Sequence, residues 1–192
     1  LDYLTVSNPA EGYFESKKSK FLAFIYPIFT EVEVKEVLNN LRKLHPKTVH
    51  FCYGYKLGFD GKIWKANDDG EPSKSAGLPI LGQLTSAKLT NTLVVVVRYY
   101  GGVNLGVGGL QEAYKSAAKN AIEHSEIISK TETRPLSLTV SLNNLDKVTH
   151  FISKQNLEVA SKTFTDKCTL LILIPLDKYT YFEEKLSVYN EL

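Results

Sequence analysis

The stretch TLVVVVRYYGGVNLGVGGLQEAY, Thr92–Tyr114, decides how the chain is read. Its first half is a continuous apolar run, the pattern of a strand covered on both faces. Its second half crowds Gly101, Gly102, Gly106, Gly108 and Gly109 into one short loop, and no glycine follows Gly109. The loop opens into a helix on which Leu110, Tyr114, Ala117, Ala121 and Ile122 share a face while Lys115 and Lys119 point elsewhere. Glycines serve a tight strand-to-helix crossover by taking positive φ. They equally let an anion approach backbone amides at a helix N-terminus. Arg98, ending the strand, is the residue to pair with such an anion. A dinucleotide fingerprint is excluded, because Gln111 stands where its third glycine belongs. GEPSKSAG likewise fails as a phosphate loop, lacking the glycine before its lysine.

Upstream of this stretch, FLAFIYPI reads as the first strand, entered from the basic segment SKKSK. EVEVKEVLNNLRKLHP follows, with Val34, Val37, Leu38, Leu41 and Leu44 at helical spacing and Pro46 as the stop. VHFCYGYKLG alternates as a strand, and the turn FDGK leads into a second strand around IWKA. A polar Pro/Gly segment, NDDGEPSKSAGLP, precedes a short helix at ILGQLTSAKL. Downstream, SKTETRPL is polar and broken by Pro135, and a domain boundary falls near Glu132. The remainder reads strand, helix, strand, strand, helix. That is a split-βαβ unit whose last strand is missing. The expected domains are therefore 1–132 and 133–192.

Composition sets broad limits. The formal net charge is +2, too small to argue for nucleic acid by itself. Acidic and basic residues balance from Thr133 onward, so the excess lies in the first part. Cys52 and Cys168 stand alone and far apart, which fits a reduced, cytoplasmic chain better than a disulfide framework. No apolar run approaches the roughly 20 residues of a membrane helix, so no membrane partner is expected.

Several clusters are candidates for chemistry. Asp68, Asp69 and Glu71 offer hard oxygen ligands, yet their spacing does not match a calcium loop, and turn chemistry accounts for them better. Ser73, Lys74 and Ser75 add donors beside the acids, which suits a partner surface more than a metal cage. His50 and Cys52 share one strand face, but nothing else in the sequence completes a nucleophilic site. His45, His124 and His150 have no zinc spacing. No metal and no cofactor are expected. Lys17, Lys18 and Lys20 lie near Tyr13, Phe14 and Phe21, a mixture able to contact phosphates and stack on bases.

DDGEPSKSAGLPIL followed by LVVVVRYYGGVNLGVGGLQEAY closely resembles the paired signature of the IMPACT/YigZ family, and HPKTVHFCYGYKLG resembles that family's strand, with His50 at its histidine. Asp68, Asp69, Gly70, Glu71, Pro72, Ser73, Ala76 and Gly77 agree with the first motif. Arg98, Tyr99, Gly101, Gly102, Leu105, Gly106, Gly108, Gly109, Leu110, Ala113 and Tyr114 agree with the second. Lys74 departs where the family usually has glycine, which argues against a left-handed backbone there. Asn104 and Val107 depart where lysine and threonine are common.

The resemblance implies an α+β protein of two domains. The first would be like domain 2 of a small-subunit ribosomal protein and domain IV of elongation factor G. The second would be ferredoxin-like, as in domain V of that factor. It also implies a non-enzymatic, translation-associated role. The partner would be RNA or a ribosomal component, or else a protein, as in eukaryotic members that bind the activator of a starvation-sensing kinase. On this reading the contact residues are Glu71, Ser73, Lys74, Arg98, Gly101, Gly102, Gly106, Gly108 and Gly109. The alternative is a hydrolase-type acid–base site of His50, Asp68, Asp69 and Glu71.

Overall fold

The computed structural model describes residues 1–190. Its elements gather into two units, one running from Asp2 to Lys130 and the other from Thr131 onward together with Leu1.

The first unit opens with strand β1 (Asp2–Val6) and the hairpin of β2 (Ala10–Ser16) and β3 (Ser19–Pro27). Helix α1 (Glu31–Leu44), β4 (His50–Leu57), β5 (Ile63–Asn67), α2 (Gly77–Ser86), β6 (Thr92–Tyr99), α3 (Gly106–Glu123) and β7 (Ile127–Thr131) follow. Strands β2-β3-β6-β4-β5, in that order, make one antiparallel sheet. The apolar run lies at its centre, and Thr92 to Arg98 are all buried. Because side chains alternate along a strand, the run supplies two cores. Val94 and Val96 join Phe21, Ala23, Ile25 and Cys52 beneath α2 and α3. Leu93, Val95 and Val97 join Phe24, Phe51 and Tyr53 against Val34 and Leu41 of α1.

Helix α1 begins at a capping box. Glu33 N donates to Thr30 Oγ1 at 3.3 Å, and Thr30 N donates to Glu33 Oε2 at 2.8 Å. Its apolar face is Val34, Val37, Leu38 and Leu41. Leu44, expected on that face, is instead exposed at the last turn.

Two strands precede the one expected first, and β7 runs through the polar stretch expected as a linker. Only Glu132 separates β7 from β8 (Thr133–Ser141). The signal was weak for a physical reason: β7 pairs with β1 in a two-stranded sheet and is mostly exposed, so no burial alternation marks it.

The second unit continues with α4 (Leu142–Lys154), β9 (Glu158–Phe164), β10 (Lys167–Pro175) and α5 (Tyr179–Ser187). Its antiparallel sheet has the order β8-β10-β9, the first-third-second arrangement of a split βαβ unit. No fourth strand is present among the described residues. Pro135 lies on β8, an edge strand, the position in a sheet that admits proline. The alternating inward residues of β10, Cys168, Leu170, Ile172 and Ile174, pack against Val148, Ile152, Phe182 and Leu186.

Candidate functional site

Residues 68–76, joining β5 to α2, are held by their own acids. Asp68 Oδ1 accepts from Ala76 N at 3.0 Å and Gly77 N at 2.8 Å, and Oδ2 accepts from Lys74 N at 2.8 Å. One carboxylate thus caps the start of α2, whose adjacent residue Ala76 has no side chain to do so. Asp69 and Gly70 both take positive φ, and Glu71 N donates to Asp68 O at 2.9 Å, closing a tight turn. Asp69 Oδ2 accepts from Phe51 N at 2.8 Å and from Arg42 Nη2 at 2.9 Å. His50 Nδ1 donates to the Asp69 carbonyl at 3.0 Å, and Cys52 Sγ donates to the Asp68 carbonyl at 3.0 Å. The loop is therefore stapled along the β4 strand.

Glu71 turns inward. Its Oε1 lies 2.6 Å from Arg98 Nη1 and accepts the Tyr114 hydroxyl at 2.7 Å. The side chains of Arg98 and Glu71 are 7% and 4% exposed. Thr48 Oγ1 donates to the Arg98 carbonyl. The Arg98 guanidinium lies 5.7 Å from the Phe21 ring centroid and 5.4 Å from that of Tyr100. Sequence reasoning gave Arg98 to a bound anion. In the structure its Nη1 bonds Glu71 instead, and its side chain is buried one residue before the strand ends at the half-buried Tyr99. Arg98 Nε is buried without a hydrogen-bond partner among the described residues. Burial pushes the neighbouring Cys52 thiol up, with Tyr114 opposing and the nearby acids assisting. Burial, followed by Cys52 and Glu71, also pushes the Tyr114 hydroxyl up.

The glycine loop divides by role. A Cβ on Gly101 would stand 2.1 Å from the Lys18 carbonyl carbon, so the β2–β3 turn rests directly on this residue. Gly101 N also donates to Ser19 Oγ at 3.0 Å. Gly102 and Gly106 take φ of +83° and +72°, as a tight crossover requires. Gly108 is different: it sits in α3, its φ is not positive, and a Cβ there would meet only open space. A Cβ on Gly109 would stand 3.1 Å from Leu105 Cβ.

Lys74 lies next to the early turns of α3. Gln111 Nε2, one turn into α3, donates to the Lys74 carbonyl at 3.2 Å. Lys74 has φ +63°, so the left-handed conformation persists without a glycine. The expectation drawn from its side chain is corrected: Asp68 holds the Lys74 amide and fixes the turn. Lys17, Lys18, Lys20 and Lys74 are exposed, and none forms an ion pair among the described residues. Ser73 is exposed beside them.

The structure brings His50, Asp68, Asp69 and Glu71 together, with His50 Nδ1 and the three carboxylates bonded to backbone, Arg42, Arg98 and Tyr114. A general acid or base needs an atom within reach of substrate, and these carboxylates face backbone amides, the guanidinium groups of Arg42 and Arg98, and the Tyr114 hydroxyl. Cys52 is sealed and kept as a thiol, the inert rather than the nucleophilic state. No group of three or more His, Cys, Asp or Glu could hold a metal ion among the described residues. No helix among them is long and apolar enough to cross a membrane.

A two-unit α+β chain with an acid-stapled loop beside a glycine crossover is thus defined. The chain belongs to the IMPACT family: the Impact N-terminal domain matches residues 17–122. It is similar to the IMPACT family member YvyE of Bacillus subtilis (strain 168), 35% identical over 146 residues, covering 76% of this chain and 67% of that protein. It is similar to the IMPACT family member YigZ of Escherichia coli (strain K12), 27% identical over 190 residues, covering 98% of this chain and 93% of that protein. A solved structure described as that of an hypothetical protein superimposes with a TM-score of 0.74 at 27% identity, covering 98% of this chain and 92% of the other.

Proposed function

We propose that the chain is a non-enzymatic, translation-associated binding protein that contacts RNA or a ribosomal component through its first unit. The observation that carries this reading is the charge at the start of α3. The exposed Lys18, whose backbone packs on Gly101, and the exposed Lys74, whose carbonyl is held by Gln111, both lie next to this segment. The nearby acids Asp68, Asp69 and Glu71 are bound to amides, Arg42 and Arg98, so they do not neutralise those lysines. Exposed cations beside glycine amides suit phosphate. Membership of the IMPACT family supports the translational setting. Arg98 and Glu71 then act beneath the surface, fixing the loop that presents Ser73 and Lys74, while Gly101, Gly102, Gly106, Gly108 and Gly109 shape the contact face.

The exposed Tyr100 and Val103 of the loop and Val107 in the first turn of α3 favour a second reading, in which the face meets a protein. Sedimentation with purified ribosomes across a salt series separates the two. Phosphate contact predicts co-sedimentation that falls steeply with salt and is lost in Lys74→Glu with Lys18→Glu. Co-sedimentation insensitive to both salt and these substitutions would overturn the phosphate reading and leave the protein one.

A further inference from the structure

The chain has one tryptophan, Trp64, and it is 57% exposed. Tryptophan is usually well buried on average, so its position on β5, the edge of the five-stranded sheet, calls for a reason. Trp64 stands directly across from Lys56 on β4. Together they line a hollow of about 430 Å³ that also contains Lys62 and is floored by Leu81 of α2. A second hollow, of about 390 Å³, shares Lys56, Asp60, Gly61 and Thr85 with the first and adds Tyr3, Phe59 and Lys88. The two hollows adjoin through those shared residues, and this grooved surface carries three aromatic rings and three lysines. Lys62 is paired with Asp60 at 2.7 Å. Lys56 and Lys88 have no ion pair among the described residues. Asp2 also lines the second hollow.

We propose that this groove binds a single-stranded segment of RNA, with a base stacked on Trp64 and adjacent phosphates met by Lys56 and Lys88. An aromatic platform alternating with unpaired cations is the arrangement by which proteins hold single strands without reading sequence. An acidic peptide would use the lysines and leave the indole without a role. The proposal rests on the RNA reading above and adds a second surface to it. Lys56 sits six residues along β4 from His50, which pairs with Arg98 beside the glycine loop. At about 3.3 Å per residue the two surfaces are roughly 20 Å apart on the sheet.

Trp64 is its own reporter, since no other tryptophan contributes to emission. The full chain is titrated with hexauridylate while Trp64 emission is followed. In parallel, the anisotropy of fluorescein-labelled hexauridylate is read for Trp64→Ala, Trp64→Phe, Lys88→Glu and Lys74→Glu. The expected result is saturable quenching, affinity lowered about tenfold or more in Trp64→Ala and largely kept in Trp64→Phe. Lys88→Glu should lower affinity and reduce the salt slope by about one, while Lys74→Glu leaves the quenching intact. Anisotropy binding without quenching, abolished by Lys74→Glu, would overturn the groove and leave the glycine-loop reading standing. Equal quenching by polyglutamate would overturn stacking in favour of charge alone. No binding in either assay at low salt would overturn the groove and the RNA part of the proposed function together.

Discussion

Arg98 Nη1 stands 2.6 Å from Glu71 Oε1, joining a central strand to a surface loop across 27 residues of sequence. With both side chains nearly sealed, the pair is not a surface salt bridge. Each charge has lost most of its water, and each depends on the other. Tyr114 donates to the same carboxylate oxygen, so α3 is tied into the contact as well.

Removing one member of such a pair strands the other charge, at about 3–5 kcal/mol. Glu71→Ala should therefore lower the unfolding free energy by about that amount in urea denaturation. Replacing both members, as Glu71→Leu with Arg98→Met, should recover much of the loss, because no buried charge is left unmatched. A single substitution that leaves the midpoint unchanged would show that the pair is open to solvent.

Asp68 gives a graded test of the loop. Asp68→Ala removes the acceptor for Lys74 N, Ala76 N and Gly77 N. A loss of about 2–3 kcal/mol is expected from charge-assisted bonds of this kind. Asp68→Asn keeps one acceptor oxygen and should lose less. Hydrogen exchange locates the effect: the Ala76 and Gly77 amides should lose protection in Asp68→Ala and largely keep it in Asp68→Asn.

How much of this was legible follows from where each partner lies. The central strand was plain because Leu93 to Val97 are apolar and buried on both faces. The turn chemistry of Asp68 was plain because its partners are six to nine residues away. Glu71 was not readable in the same way. Its partners come from β6 and α3, 27 and 43 residues distant, and only the folded sheet brings them to it. The available hint was position: a lone arginine ending a wholly apolar strand enters the core and needs an acid there. Strand β2 was not legible because its inward positions Ala10, Gly12 and Ser16 are small or polar, so their alternation with the exposed Glu11, Tyr13 and Glu15 carries little apolar contrast.

Two glycines predict opposite outcomes. Gly101→Ala places a methyl group 2.1 Å from backbone of the β2–β3 turn, which cannot yield as a flexible side chain does. It should be strongly destabilising, by several kcal/mol in order of magnitude. Gly108→Ala adds the methyl in open space within a helix, where alanine is better than glycine by about 1 kcal/mol. Thermal denaturation of the two variants should move in opposite directions. If ribosome co-sedimentation falls in Gly108→Ala while stability rises, the bare amide surface is itself a contact.

Alkaline pH should weaken the fold through Cys52. Burial raises its thiol in the folded state, so on raising pH the unfolded chain releases that proton first. The stabilisation is complete below the unfolded thiol value, about 8.5, and declines above it by up to about 1.4 kcal/mol per pH unit. Urea denaturation at pH 7 and pH 10 should show a loss in the parent chain that is smaller in Cys52→Ala. Equal losses would mean that the thiol is not held in its protonated form.

Lys74 separates stability from recognition. Its φ of +63° is a conformation that a side chain disfavours, by about 1 kcal/mol, and that glycine adopts freely. Lys74→Gly removes this strain while leaving Asp68 free to hold the amide at position 74. It also returns flexibility to the unfolded chain, which offsets part of the gain. The expected change in stability is thus small and favourable, below about 1 kcal/mol. Salt-sensitive binding to ribosomes should nevertheless weaken, because one exposed cation beside the glycine loop is gone. A lysine kept in a strained turn is explained by contact with an anion if those two results come together. Unchanged binding at raised stability would reduce Lys74 to a strained surface residue and would shift the contact to Lys17, Lys18 and Lys20.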